Sequence, residues 1–137
     1  MEKIIELARE IGRQLQQSET YIRYNMAKQA ADDDGELQQL ISEFNMIRVN
    51  ISSETSKSEE ERDPEQIRSL NEDMRKVYAK IMTNESMINY NDAKDELDII
   101  LQRVNAIIQK SSEGEDPDTA DYTASCSGSC STCGGCG

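Results

Sequence analysis

The chain has 137 residues, 27 acidic against 15 basic, no histidine, and a net charge of −12. That balance excludes a general nucleic-acid binder, which needs clustered Lys and Arg against phosphate. The missing histidines remove the commonest general base, so the composition lends no support to an enzyme. Aromatic content of 4%, with no Trp and one Phe, leaves Ile, Leu, Val, Met and Ala to build the core. Such a core suits helix-on-helix packing far better than a β-sandwich, and the expected class is all-α.

From Glu2 to Gln17 the apolar residues Ile4, Ala8, Ile11 and Leu15 recur at spacings of four, three and four, with Ile5 and Leu7 widening the stripe. This predicts an amphipathic helix. Ser18 reads as the N-cap of a second helix, Glu19 to about Ala31, with Ile22, Met26 and Ala30 on one face. Tyr21 and Tyr24 lie beside that face, rings inward and hydroxyls wet. The run Asp32-Asp33-Asp34-Gly35 breaks the pattern. Asp33 with Glu36 three residues on reads as a capping box. An EF-hand needs oxygen ligands at alternating positions and a closing Glu, so the aspartates read as a cap rather than a cation site.

A third helix, from Gly35 or Glu36 to roughly Ser56, buries Leu37, Leu40, Ile41, Phe44, Ile47 and Ile51. Ser52 to Asp63 is polar and ends in a turn. Asp63, Pro64 and Gln66 then supply an N-cap, a first-turn proline and a third-position glutamine for a fourth helix, Pro64 to about Thr83. Its Ile67, Leu70, Met74, Val77 and Ile81 alternate spacings of three and four, the narrow seam of antiparallel or coiled-coil packing. Asn84 caps a fifth helix, Glu85 to about Lys110, with Ala93, Leu97, Ile100, Val104 and Ile107 broadened by Ile88, Leu101 and Ile108. That arc is wider than one neighbour buries, which points to self-association or a second helical partner. The expected architecture is an elongated antiparallel helical bundle of about five helices with a disordered C-terminal tail.

Beyond Ser111 the character changes. Ser111 to Tyr122 carries Glu113, Glu115, Asp116, Asp118 and Asp121, no base, and Pro117. With so few apolar groups it reads as a linker that cannot fold alone. The expected division is therefore a helical domain over 1–112 and an acidic linker with a Cys-rich tail over 113–137.

All four cysteines fall in the last twelve residues: Cys126, Cys130, Cys133 and Cys136, spaced C-x3-C-x2-C-x2-C with only Ser, Thr and Gly between. Packing does not explain thiols in such a segment. Four thiolates are the donor set of an iron–sulfur cluster of the [4Fe–4S] type or of a tetrahedral zinc. The ferredoxin spacing is reversed here. Four-cysteine zinc sites ordinarily separate two C-x2-C knuckles by a longer loop, which ranks zinc second. The third reading is a free tail with reactive thiols. Charges open the chain at helical spacing, as no signal peptide does, and no apolar run approaches the ~20 residues of a membrane span. A cytoplasmic location follows, where reduced thiols favour metal over disulfide.

Three stretches carry a family resemblance: Leu7, Ala8 and Ile11 in the first helix; Glu36-Leu37-Gln38-Gln39-Leu40-Ile41-Ser42-Glu43-Phe44 in the third; and the block NESMINYNDAKDELDIILQRVNAII over 84–108. Through roughly 1–110 the chain resembles the YlbF/YmcA family of small helical bacterial regulators, some members of which end in cysteines. The resemblance implies an all-α fold and no catalytic activity. It further implies complexes with related helical regulators and a YaaT-type protein, influencing RNase Y and hence mRNA processing and development. Members with suitable cysteines are linked to iron–sulfur clusters. The leading expectation is a non-enzymatic adaptor, a homo- or hetero-oligomer with no direct nucleic-acid contact and no membrane insertion. The rival is a metal-handling or metal- and redox-sensing protein whose bundle is a scaffold. A structural coiled-coil module would leave the clustered thiols without a purpose.

Overall fold

The computed structural model describes residues 1–123; Cys126, Cys130, Cys133 and Cys136 lie outside them. Five helices run in order: α1 Glu2–Gln17, α2 Glu19–Asp33, α3 Gly35–Thr55, α4 Pro64–Thr83 and α5 Glu85–Ser112. No strand occurs among the described residues. The chain divides into two compact units, Met1–Leu97 and a second beginning at Asp98, so α5 contributes to both.

Three of the four connections in the first unit are single residues. Ser18, Asp34 and Asn84 each end one helix and cap the next in extended backbone. Each places a side-chain oxygen on an otherwise unpartnered amide of the first turn. The Ser18 hydroxyl accepts from Tyr21 N–H at 3.2 Å, Asp34 Oδ1 from Leu37 N–H at 3.0 Å, and Asn84 Oδ1 from Met87 N–H at 3.0 Å. The cap of α3 is therefore Asp34, not Asp33 as its spacing to Glu36 suggests. Asp33 is the last residue of α2, where its carboxylate takes the Gln29 amide instead. In a run of three aspartates, spacing alone does not choose the cap; the tertiary path of α2 does.

The fourth connection, 56–63, closes the long pair of α3 and α4. Their 21 and 20 residues span ~30 Å each at 1.5 Å per residue. Phe44 meets Tyr78 at 6.2 Å between ring centroids, and Glu54 meets Asp63, so the two helices run antiparallel. Leu37, Ile47, Val77 and Ile81 form the buried seam with Ala31 of α2. Leu40, Ile41, Phe44, Ile51, Leu70 and Met74 pack partly buried against it, with Met87 and Tyr90 from the first half of α5. The regular alternation of three and four in α4 is thus the register of a real helix pair. α2 meets the same half of α5 through Tyr24 and Tyr90, 5.8 Å apart, and through Arg23 and Glu96 at 2.8 Å.

In the second unit α5 continues to Ser112 and ends in a Schellman motif. The Glu115 amide returns to the Lys110 carbonyl, and the Gly114 amide to the Ser111 carbonyl, both at 3.1 Å. Gly114 sits at φ 94°, a left-handed conformation that glycine adopts without a Cβ clash. Asp116 then nucleates one tight turn, accepting from Asp118 N–H through its carboxylate and from Thr119 and Ala120 through its carbonyl. The segment read as a linker that cannot fold alone doubles back along α5 as far as Thr123. Its chief tie is an ion pair: Arg103 Nε and Nη2 donate to the Asp121 carboxylate at 3.0 and 2.6 Å.

Candidate functional site

The thiols expected to carry the chemistry lie outside the described residues, so no geometry bears on them. Among the described residues no group of three or more acidic or thiol side chains is placed to hold a metal ion. Asp32, Asp33 and Asp34 follow that pattern: Asp34 is occupied by the α3 cap and by the Asn84 amide at 3.2 Å. The Leu37 amide first, then Ser86 and Asn84, hold the Asp34 carboxyl below the ordinary aspartate value.

What the described residues do offer is uncovered apolar surface along helices. α1 has no buried residue, and Ile4, Leu7 and Ile11 stand 71%, 58% and 43% exposed. On α2, Ile22 and Met26 are exposed beside Ala27 and Ala30, along a groove of about 540 Å³ that Ser86 and Asn89 of α5 complete. In the second unit Ile99, Leu101 and Ile108 are exposed, whereas Ile100, Val104 and Ile107 are half-buried. The wide arc of α5 is therefore partly covered and partly open. Tyr24 and Tyr90 hydrogen-bond each other through their hydroxyls, which with burial lifts the Tyr90 phenol above its ordinary value.

Two ionic features escaped the reading of residues. Glu54, 5% exposed, is the buried charge of the α3–α4 connection. Its carboxylate accepts from Lys57 Nζ at 2.8 Å and from the Asp63 amide at 2.9 Å. The Lys57 hydrogen bond first, then the Asp63 amide, depress its carboxyl below the ordinary value. Nothing in a run rich in Ser and Glu distinguishes this glutamate, because the Asp63 amide reaches it only after the loop closes. The Arg103–Asp121 pair spans 18 residues and is equally invisible to local spacing, although Gly114, six residues past Ile108 at the end of the apolar stripe, is a readable stop signal. The Arg103 guanidinium, then the Tyr122 amide, hold the Asp121 carboxyl low.

The family model described as control of competence regulator ComK, YlbF/YmcA, matches residues 4–111, most of the chain. The chain belongs to the YlbF/YmcA family. The match spans α1 to the last turn of α5 and stops short of the returning segment. Among solved structures, the fold is similar to that of Bacillus subtilis RicA, crystallised in complex with RicF. The TM-score is 0.72 at 20% identity, covering 82% of this chain and 95% of that one. At that identity the likeness speaks to the fold. No curated protein matches the chain. Among the described residues no helix is long and apolar enough to cross a membrane.

Proposed function

We propose that this YlbF/YmcA-family chain is a non-enzymatic regulatory adaptor of the cytoplasm. It acts through complexes with related helical regulators and a YaaT-type protein that influence RNase Y-dependent mRNA processing and development. The observation that carries the reading is the exposed apolar surface along α1, α2 and α5, on a fold whose structural neighbour RicA is found with RicF. Contiguous apolar surface left in water marks interaction sites. Cys126, Cys130, Cys133 and Cys136 are assigned to one iron–sulfur centre, with zinc as the second choice. The donor set fits, since four thiolates meet the ligand count of either group. Bound there, the centre would supply a redox- or metal-dependent signal to complex formation.

The test is iron, acid-labile sulfide and zinc per chain on protein purified without oxygen, together with binding to a RicF-type relative. Equal iron and sulfide, lost with weakened binding when all four cysteines become Ser, support the reading. Unchanged metal content and unchanged binding in that variant defeat the assignment of the tail. The four clustered thiols also favour a second reading, a metal-handling or redox-sensing protein. In that case the cysteine variant abolishes function, whereas charged substitutions at Leu101 or Ile108 leave it intact.

A further inference from the structure

We infer that residues 115–123 form a displaceable strap over one edge of the α5 apolar stripe, and that its release bares that edge to a partner helix carrying a carboxylate beside its own apolar face. The first ground is placement. The Schellman turn at Gly114 reverses the chain, and the Asp116 turn delivers it back to the level of Arg103, nine residues before the end of α5. Arg103 closes on Asp121 with Nε at 3.0 Å and Nη2 at 2.6 Å, and the adjacent Ala120 is buried. Ile107 and Lys110, four and seven residues on from Arg103, share its face and are half-buried, as is Val104 beside them. Leu101 and Ile108, on the far side of the stripe, are 39% and 56% exposed. The stripe is thus divided into a closed edge under the strap and an open edge beyond it.

The second ground is the lightness of the fastening. Of residues 115–123 only Ala120 is buried, and Tyr122 is exposed. One methyl group offsets little of the cost of ordering this stretch of backbone. The remaining hold is an ion pair whose side chains are 59% and 40% exposed. Loss of such a pair changes an equilibrium by about fivefold at most. An element required by the core would seat a large side chain in it. The family match ends at residue 111, so the shared helical body stops before the strap begins.

Charge then specifies what can take the strap's place. Residues 113–121 hold five carboxylates and no base, in a chain whose net charge is −12, so strap and body repel except at Arg103 and Lys110. A partner that displaces Asp121 must return a carboxylate to the Arg103 guanidinium. It must also lay apolar atoms on Val104 and Ile107, where the strap offers a single methyl. A helix with Asp or Glu flanking its apolar stripe meets both demands. The inference deepens the adaptor reading and rests on it for the partner, whereas opening of the strap is read on the chain alone.

The test pairs hydrogen exchange at the Ala120 amide, which donates to the Asp116 carbonyl at 2.9 Å, with calorimetric binding to a RicF-type relative. The full chain is used throughout, and circular dichroism verifies helix content. Asp121→Asn and Arg103→Gln should both speed exchange across 115–123. A competing partner binds only the open fraction, so Asp121→Asn should lower the dissociation constant by about two- to fivefold. Arg103→Gln should not, because it also removes the guanidinium that the partner's carboxylate needs. Ile107→Ala added to Asp121→Asn should cancel the gain. Asp118→Asn, one charge fewer with the clasp intact, should match the wild type in both measurements. Unchanged exchange in Asp121→Asn overturns the strap. Faster exchange with an unchanged dissociation constant overturns the masking, and an equal gain in Arg103→Gln overturns the carboxylate-bearing partner. Failure of the relative to bind any of these chains, wild type included, overturns the adaptor reading itself, and the inference falls with it.

Discussion

Leu37 is the sharpest place to perturb the fold. It is the one large side chain with no exposure among the described residues, and it sits where the Asp34 cap starts α3 against Ile47, Val77 and Ile81. Leu37→Ala removes its branched end from a site whose neighbours are held by three single-residue corners and collapse only in part. Leucine-to-alanine losses at such sites run from about 2.7 to 5 kcal/mol, growing with the cavity that remains. Full burial and rigid corners place Leu37 in the middle of that range, about 3–4 kcal/mol. An unfolding entropy of roughly 2.1 cal/mol/K per residue over about 120 residues gives ~0.25 kcal/mol/K, hence a fall in Tm of about 12–16 °C. Far-UV circular dichroism melts and urea titrations with a common m-value measure both quantities. Leu7→Ala is the control: its side chain is 58% exposed, and the change should stay within about 0.5 kcal/mol. A Leu37→Ala loss under about 1 kcal/mol would refute the placement of the core at the α3–α4 seam.

Asn84→Ala removes the α5 cap and the amide donated to Asp34, and a loss near 1 kcal/mol is expected by urea titration. Glu54→Gln should leave the helices in place but speed hydrogen exchange at the Asp63 amide and through 56–63, because the carboxylate that holds both donors is gone. Asp34, Glu54 and Asp121 all have folded pKa values below their unfolded ones. Their contribution is therefore fully present above the ordinary carboxyl range, near pH 4, and is lost as pH falls through the lowered values. An acid titration followed by circular dichroism should show wild type losing stability below about pH 4, and Glu54→Gln losing less over the same interval. Arg103→Ala should leave Tm nearly unchanged, since the ion pair is exposed, yet raise proteolysis and exchange over 115–123. Equal protection in the variant and wild type would show that Asp121 does not tether the segment.

The number, kind and approximate ends of the helices follow from the sequence by itself. Apolar spacing sets helical faces locally, and Ser18, Asp63-Pro64 and Asn84 carry their capping chemistry in their own side chains. Family membership was legible in the same stripes, chiefly the block over 84–108. Only the tertiary structure decided which faces find a neighbour. Ile4 and Leu37 belong to equally regular stripes, yet one lies in water and the other is sealed. An amphipathic pattern encodes the need for burial and not the partner that meets it. The same reason hid Glu54 and the Arg103–Asp121 tie, whose partners meet only once a loop closes or a helix end turns back. Which of three consecutive aspartates caps α3 was likewise settled in the folded chain, because local spacing offers more than one choice, whereas α2 runs on through Asp33 and leaves Asp34 in extended backbone as the cap.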